Sequence, residues 1–354
     1  MIVHHRRFIV LFASVLAACM PASANLFINL VPGANLLAQP DAYAAFQNAA
    51  GVWDQIFSDP ITVTINADLS TNFPSNNIIG STSAVMLTAG YAAIEGAMAA
   101  ESTGQPGKAI MASLPTASQL SVQLPSGFSL TGNIAATKAD LKALGFTGLD
   151  TLYGANDATM TFNSNFNFYY GTGTFQSNQI DFESVAIHEI GHALGFMSAV
   201  DTIDEDLHAS TPGAINLMPL DLYRFASTDL PTDASSFTNN TRDLLTGGTS
   251  VFSDTQVNYL LSTGAFTGDG NQASHWKDDD ITGQYIGIMD PTLAYHTTAP
   301  VTSADIRALE LIGFDVAVPE PVTFAPVAGA LLIGICLARR KDKLKHGAGT
   351  TRAA

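Results

Sequence analysis

At 354 residues, 47% hydrophobic and only 13% charged, the chain has ample apolar material for one large domain or two ordinary ones. Its charge is lopsided: of 15 Lys and Arg, eight lie at the two ends, so residues 25–318 hold seven cations against twenty-nine acids, a net charge of −22. That balance excludes nucleic acid as a partner, because a phosphate backbone is bound by cations, and it suits an exported soluble domain, with calcium binding as the specific alternative to plain solvation.

The chain opens with basic residues at 4–7, an apolar run over 8–20 and the small residues Ala22-Ser23-Ala24. That order marks 1–24 as a secretory signal peptide cut before Asn25, the apolar run being too short to favour a membrane span. A rival reading makes Leu16-Ala17-Ala18-Cys19 a lipoprotein box with Cys19 lipidated. A short strand is expected at 25–30. Phe46, Ala50, Trp53 and Phe57 recur at helical spacing within 42–57, and Ile61, Val63 and Ile65 alternate as a strand. A further strand is expected within 77–87 and an alanine-rich helix over 89–101. Residues 102–136, rich in Ser, Pro and Gly, give no clear element, and a short helix over 136–144 ends at Gly145.

The clearest strand is 157–170, with Met160, Phe162, Phe166, Phe168 and Tyr170 on one face. A helix over 181–194 follows a glycine-rich turn. Residues 199–270 are acidic and rich in Gly, Ser, Thr and Pro, and read as a long insertion made mostly of loop. The last helix, 303–311, starts at a Thr302 or Ser303 cap and ends at Gly313.

Val318-Pro319-Glu320-Pro321 then precede an apolar stretch, 322–338, about the minimum for a bilayer span, followed by Arg339, Arg340, Lys341, Lys343 and Lys345. A plain single-span anchor has this order. Residues 318–345 also closely resemble a PEP-CTERM sorting tail. That resemblance implies export by a Gram-negative bacterium, processing by an exosortase-type enzyme, and membrane attachment through the C-terminal helix until then. Either reading puts the domain outside the cytoplasm, at the cell surface or extracellular. Both cysteines, Cys19 and Cys336, fall in these ends, so the domain between them has no disulfide and no thiolate ligand. Its core, or metals, must hold it.

The stretch His188-Glu189-Ile190-Gly191-His192-Ala193-Leu194-Gly195-Phe196 carries the chemistry. Four residues advance a helix by about 400°, so His188 and His192 emerge on one face, one turn apart, where both can reach one Zn²⁺. Glu189 is offset by about 100° and reaches the reacting water without being a ligand, as a general base would. Gly195 stands where the helix must stop and turn. The bland reading is an amphipathic helix with two polar-face histidines. A third ligand is not obvious: Ser198, three after Gly195, is a poor one, and the exported domain's remaining histidines are His208, His275 and His296.

HExxHxxG resembles the opening of the metzincin signature. His275-Trp276 followed by Met289-Asp290-Pro291 looks like the leishmanolysin branch, in which an insertion separates the helix from the third histidine and a Met-turn follows. The whole also resembles bacterial exported metalloproteases with PEP-CTERM tails, in which segments 219–224 and 304–309 look familiar too. The resemblance covers mainly 181–315. It implies an α+β, zincin-like fold over 25–317: an N-terminal subdomain, 25–195, with a mixed sheet and the active-site helix, and a smaller C-terminal subdomain, 196–317, with the 199–270 insertion, the Met-turn and the final helix. It implies His275 as third zinc ligand, with His188 and His192, and Met289 as a hydrophobic floor. The strand 157–170, just before the helix, would be the edge strand that receives an extended protein or peptide substrate. Tyr285 or Tyr295 would assist the oxyanion, although core packing suits both. No leishmanolysin-type disulfide framework is possible here.

The leading reading is thus an exported zinc metalloendopeptidase with Glu189 as general base. Its rivals are a surface adhesion protein that keeps the fold without peptidase activity, and a zinc hydrolase of other substrates. Two acidic clusters, Asp201/Asp204/Glu205/Asp206 and Asp278/Asp279/Asp280, are candidates for calcium or plain solvated loops.

Overall fold

A computed structural model describes residues 25–317. The expected signal peptide, its lipoprotein alternative and the expected sorting tail lie outside the described residues. Within them no helix is long and apolar enough to cross a membrane.

The fold is mixed α+β. Its first sheet has four strands in the order Phe27–Pro32, Thr62–Ser70, Asn156–Asn163, Gly80–Ala84; the first three run parallel and the last antiparallel. The helices Pro40–Ile56 and Phe182–Leu194 close one face: Phe46 and Phe182 both meet the ring of Phe162, at 5.4 and 4.7 Å between centroids. Trp53, fully buried, ties the two helices by donating its indole N–H to the carbonyl of Ile187 at 3.0 Å.

The expected edge strand is corrected here. Asn156–Asn163 lies inside the sheet, and Gly80–Ala84 is the edge. Asn156–Asn163 pairs along both of its edges, with Thr62–Ser70 and with Gly80–Ala84, whereas the short polar run Gly-Ser-Thr-Ser-Ala, part of the strand expected within 77–87, pairs along one edge only. The aromatic face of 157–170 does pack on the 182–194 helix, through Phe162, Phe168 and Tyr170 around Phe182.

Past Val85 the chain crosses to a second sheet, Ala214–Leu217, Ser129–Thr137 and Met86–Gly90 in that order. A third, of five short strands, gathers Val122–Gln123, Arg224–Ala226, Arg242–Asp243, Ser250–Ser253 and Asn258–Leu261. Residues 199–270 are therefore not mostly loop, and a helix, Val200–Ala209, opens them. Their strands escaped sequence reading because they are two to four residues long and bury polar side chains, Arg224, Arg242, Ser250 and Ser253 among them.

The seven cations of this region all serve the interior. Lys108 pairs with Glu101 and Asp315; Lys138 and Lys142 share Asp150 and Asp157; Lys277 meets Asp269; Arg307 meets Asp254 and Glu310. Arg224 donates to the carbonyls of Asp243 and Ser262, and the Arg242 guanidinium lies over the rings of Phe225 and Phe237.

Asp140 stands outside this pairing and has no other partner either. Its carboxyl is buried with no hydrogen-bond partner for either oxygen. It lies under Gly195 and Gly313, the positive-φ residues that end the 182–194 and 303–312 helices, so two negative dipole ends face it. Burial, with the charge of Asp59 behind it, holds the carboxyl well above the usual range. The folded state therefore keeps a proton that the unfolded state releases near pH ~4, and stability falls as pH rises through that window, by at most about 1.4 kcal/mol per pH unit. Asp140→Asn is expected to raise the melting temperature of the metal-free protein at pH 7.5, with the gap closing toward pH 4. A gap independent of pH would show that Asp140 is ionised in the fold.

Candidate metal centre

The helix Phe182–Leu194 is fixed at both ends by its sequence. Asp181 caps it, accepting from the Ser184 backbone N–H at 3.0 Å, and Gly195 ends it at φ +126°. Between them His188 and His192 project from one face, with ring centroids 4.8 Å apart. His275 arrives from its loop to meet both. The three Nε2 atoms stand 3.0, 3.2 and 3.2 Å from one another.

The opposite ring nitrogens decide what those contacts mean. Nδ1 of His188 faces the carbonyl of Ile288 at 2.7 Å, that of His192 the carbonyl of Phe196 at 2.9 Å, and that of His275 the carbonyl of Gln272 at 3.1 Å. A carbonyl only accepts, so each Nδ1 carries the proton and donates it. Each Nε2 is then a bare lone pair, and three lone pairs converge with no hydrogen between them. Burial holds His188 down to about 4 and His192 to about 3, and holds His275 well below its usual range, so all three are neutral at pH 7. A triangle of this size has a point on its axis about 2.0–2.1 Å from every corner, the zinc–imidazole distance. The donor set fits Zn²⁺, and the carbonyls supply the outer hydrogen bonds that orient metal-binding imidazoles.

The loop that carries His275 is bracketed by two carboxylates, half-buried Asp201 and buried Asp305. Asp201, from the helix after Gly195, accepts from the N–H groups of Ala273 and Ser274 and from the Ser274 hydroxyl. That hydroxyl oxygen accepts from the N–H of Ser198 at 2.8 Å, and the Ser198 hydroxyl donates to Asp221 at 2.6 Å. Ser198 is thus no ligand; it locks the ligand loop to the end of the helix. On the other side Asp305 accepts from the indole N–H of Trp276 at 2.8 Å and from the N–H groups of Ile288 and Met289 at 2.9 and 3.2 Å. Met289, fully buried, lies against Gly191, where any side chain would collide with its sulfur.

Glu189, also buried, turns toward the edge strand. Its Oε2 accepts from the Thr82 hydroxyl at 2.6 Å, and its Oε1 lies beside Gly80. Burial raises its carboxyl to about 7, against the lowering by Thr82. The histidine triangle and Glu189 face one cleft of about 400 Å³, walled by 77–82 on one side and by 288–293 on the other.

Of the expected residues, His188, Glu189, His192 and His275 come together, with Met289 beneath. His208 stacks on Phe266 and His296 lies tilted against Phe175, neither in the cluster. Tyr285 donates to the carbonyl of Pro300, and Tyr295 is exposed; neither lines the cleft or packs in the core. The acids 201–206 do not converge: Asp204 accepts from the N–H groups of Phe266 and Thr267 while Asp201 serves 273–274. In the second acidic group Asp290, not Asp280, joins Asp278 and Asp279 within 4.8 Å. Sequence reading missed Thr82, Gly80, Asp201 and Asp305 as parts of the site. The signal for Asp221 and Asp305 was available, since each is a carboxylate set among apolar residues in the two familiar segments.

A family model described as SPBPB7E8-like matches residues 138–238, which include His188, Glu189 and His192 and stop short of His275. No curated protein and no solved structure matches the chain.

Proposed function

We propose that this chain is an exported zinc-dependent endopeptidase built on a zincin-like, metzincin-type domain. The observation that carries the reading is the triangle of unprotonated Nε2 atoms opening, together with a buried glutamate, into a single cleft. Zinc held there would polarise the scissile carbonyl and acidify the attacking water.

The chain's own groups divide the remaining work. His188, His192 and His275 hold the metal, their Nδ1–H bonds fixing tautomer and orientation. Glu189 takes the proton of the attacking water and passes it to the departing amine; a carboxyl raised to about 7 is matched to taking and giving a proton near neutrality. The antiparallel edge strand Gly80–Ala84 would receive an extended peptide by backbone hydrogen bonds, with its scissile bond toward the histidines. The signal-like start and the resemblance of 318–345 to a PEP-CTERM tail support export to the surface of a Gram-negative cell or beyond it, with processing by an exosortase-type enzyme.

Glu189→Gln tests this directly. In purified full-length chain loaded with zinc, hydrolysis of an unfolded protein is expected to fall about 10²–10⁴-fold while zinc content stays at the wild-type level. Equal activity would remove Glu189 as the base. A zinc-loaded wild type that cleaves nothing would bring the adhesion reading forward.

A further inference from the structure

The edge strand holds the base as well as facing the cleft. Residues 80 and 82 share one face of Gly80–Ala84, the face turned to the 182–194 helix. Thr82 donates its single hydroxyl proton to Oε2 of Glu189 at 2.6 Å; the Glu189 carbonyl, at 3.0 Å, is the longer and uncharged competitor. Gly80 has no positive φ, so backbone conformation does not call for glycine there. Space does: a Cβ built at Gly80 would lie 2.5 Å from Oε1 and 3.0 Å from Cδ of Glu189.

We infer that Gly80 and Thr82 form a cradle that positions the carboxylate of Glu189 for proton transfer, Thr82 by donating to one oxygen and Gly80 by leaving room for the other. The inference rests on the peptidase reading and deepens it. Glu189 has three side-chain torsions to fix, and an unheld carboxylate in a buried cleft would sample rotamers that miss the water. The strand proposed to register the peptide is also the strand that registers the base, so substrate and base are aligned by one rigid element. The Thr82 hydroxyl does not bond the histidine nitrogens; it acts on the reaction through Glu189, and Thr82 is a positioning residue.

Thr82→Val keeps the β-branched shape and removes the donor. Zinc-loaded full-length Thr82→Val is expected to lose about 10–100-fold in kcat, the worth of one hydrogen bond to a charged group, with KM within a few-fold of wild type. Thr82→Ser, which restores the hydroxyl, should return kcat to within about threefold. Zinc content should match wild type in both, and a crystal structure of the valine variant should show Glu189 in more than one rotamer. Unchanged kcat in Thr82→Val, a serine variant as slow as the valine one, or a fall in zinc content would each overturn the cradle. If zinc-loaded wild type has no peptidase activity, the peptidase reading fails and the cradle with it; if wild type is active and Thr82→Val equally so, only the cradle fails.

Discussion

His275→Ala is expected to abolish metal retention. Wild-type protein should carry one zinc per chain after dialysis, whereas the variant should bind at least on the order of 10²-fold more weakly and lose hydrolysis with the metal. The lower bound follows from outer-shell changes, which already cost about 10–100-fold; removing a ligand removes more. Geometry adds to the effect. His188 and His192 sit on one helix and offer two lone pairs from the same side, and His275 closes the triangle from a different part of the chain. Without it the ion would keep two imidazoles in a pocket whose burial was set for three. His208→Ala and His296→Ala, at rings that pack against Phe266 and Phe175 away from the cluster, should leave zinc content unchanged. Full zinc in His275→Ala, or loss of zinc in either control, would remove His275 from the site.

The metal helix was legible in the sequence because its chemistry is local: two histidines four apart and a glycine seven after the first need only the helical period to be placed. His275 was not local. Spacing alone left it level with His208 and His296, and it stood out only through the likeness of its surroundings to a known family. What delivers it is a set of carboxylates accepting backbone N–H groups, Asp201 and Asp221 on one flank and Asp305 on the other. Asp221 and Asp305 stand among apolar neighbours, but Asp201 lies in an acidic stretch, and nothing local in any of the three says which backbone N–H groups it will accept from. A strand within 77–87 was legible, but its place at the sheet edge was not, for a related reason: that place is set by its partners, Asn156–Asn163 on one side and Glu189 on the helix, and not by any pattern of its own.

Among those carboxylates Asp305 carries the most. It accepts from Trp276 Nε1, Ile288 N, Met289 N and Thr302 N, at 2.8, 2.9, 3.2 and 2.8 Å, and no cation pairs with it. It thereby pins the residue after the third ligand, the turn beneath the metal and the start of the last helix to one point. Asp305→Ala would strand these donors, three of them buried, at about 1–3 kcal/mol each. The sum is comparable with the roughly 5–15 kcal/mol that holds a whole domain folded. The metal-free variant is therefore expected to melt many degrees below wild type or to be largely unfolded at 37 °C, with Asp305→Asn, which keeps one acceptor oxygen, falling between. Zinc provides the decisive comparison. A ligand at about 1,000 times its Kd adds about 4 kcal/mol to the folded state. If Asp305 acts by holding the ligand loop and the turn together, excess zinc should refold Asp305→Ala in part and raise its melting temperature, measured by calorimetry, by more than it raises that of wild type already saturated. A variant that melts with wild type in the metal-free state would show that the hub is not needed for the fold. One that stays unfolded in excess zinc would show that the damage extends beyond the metal centre.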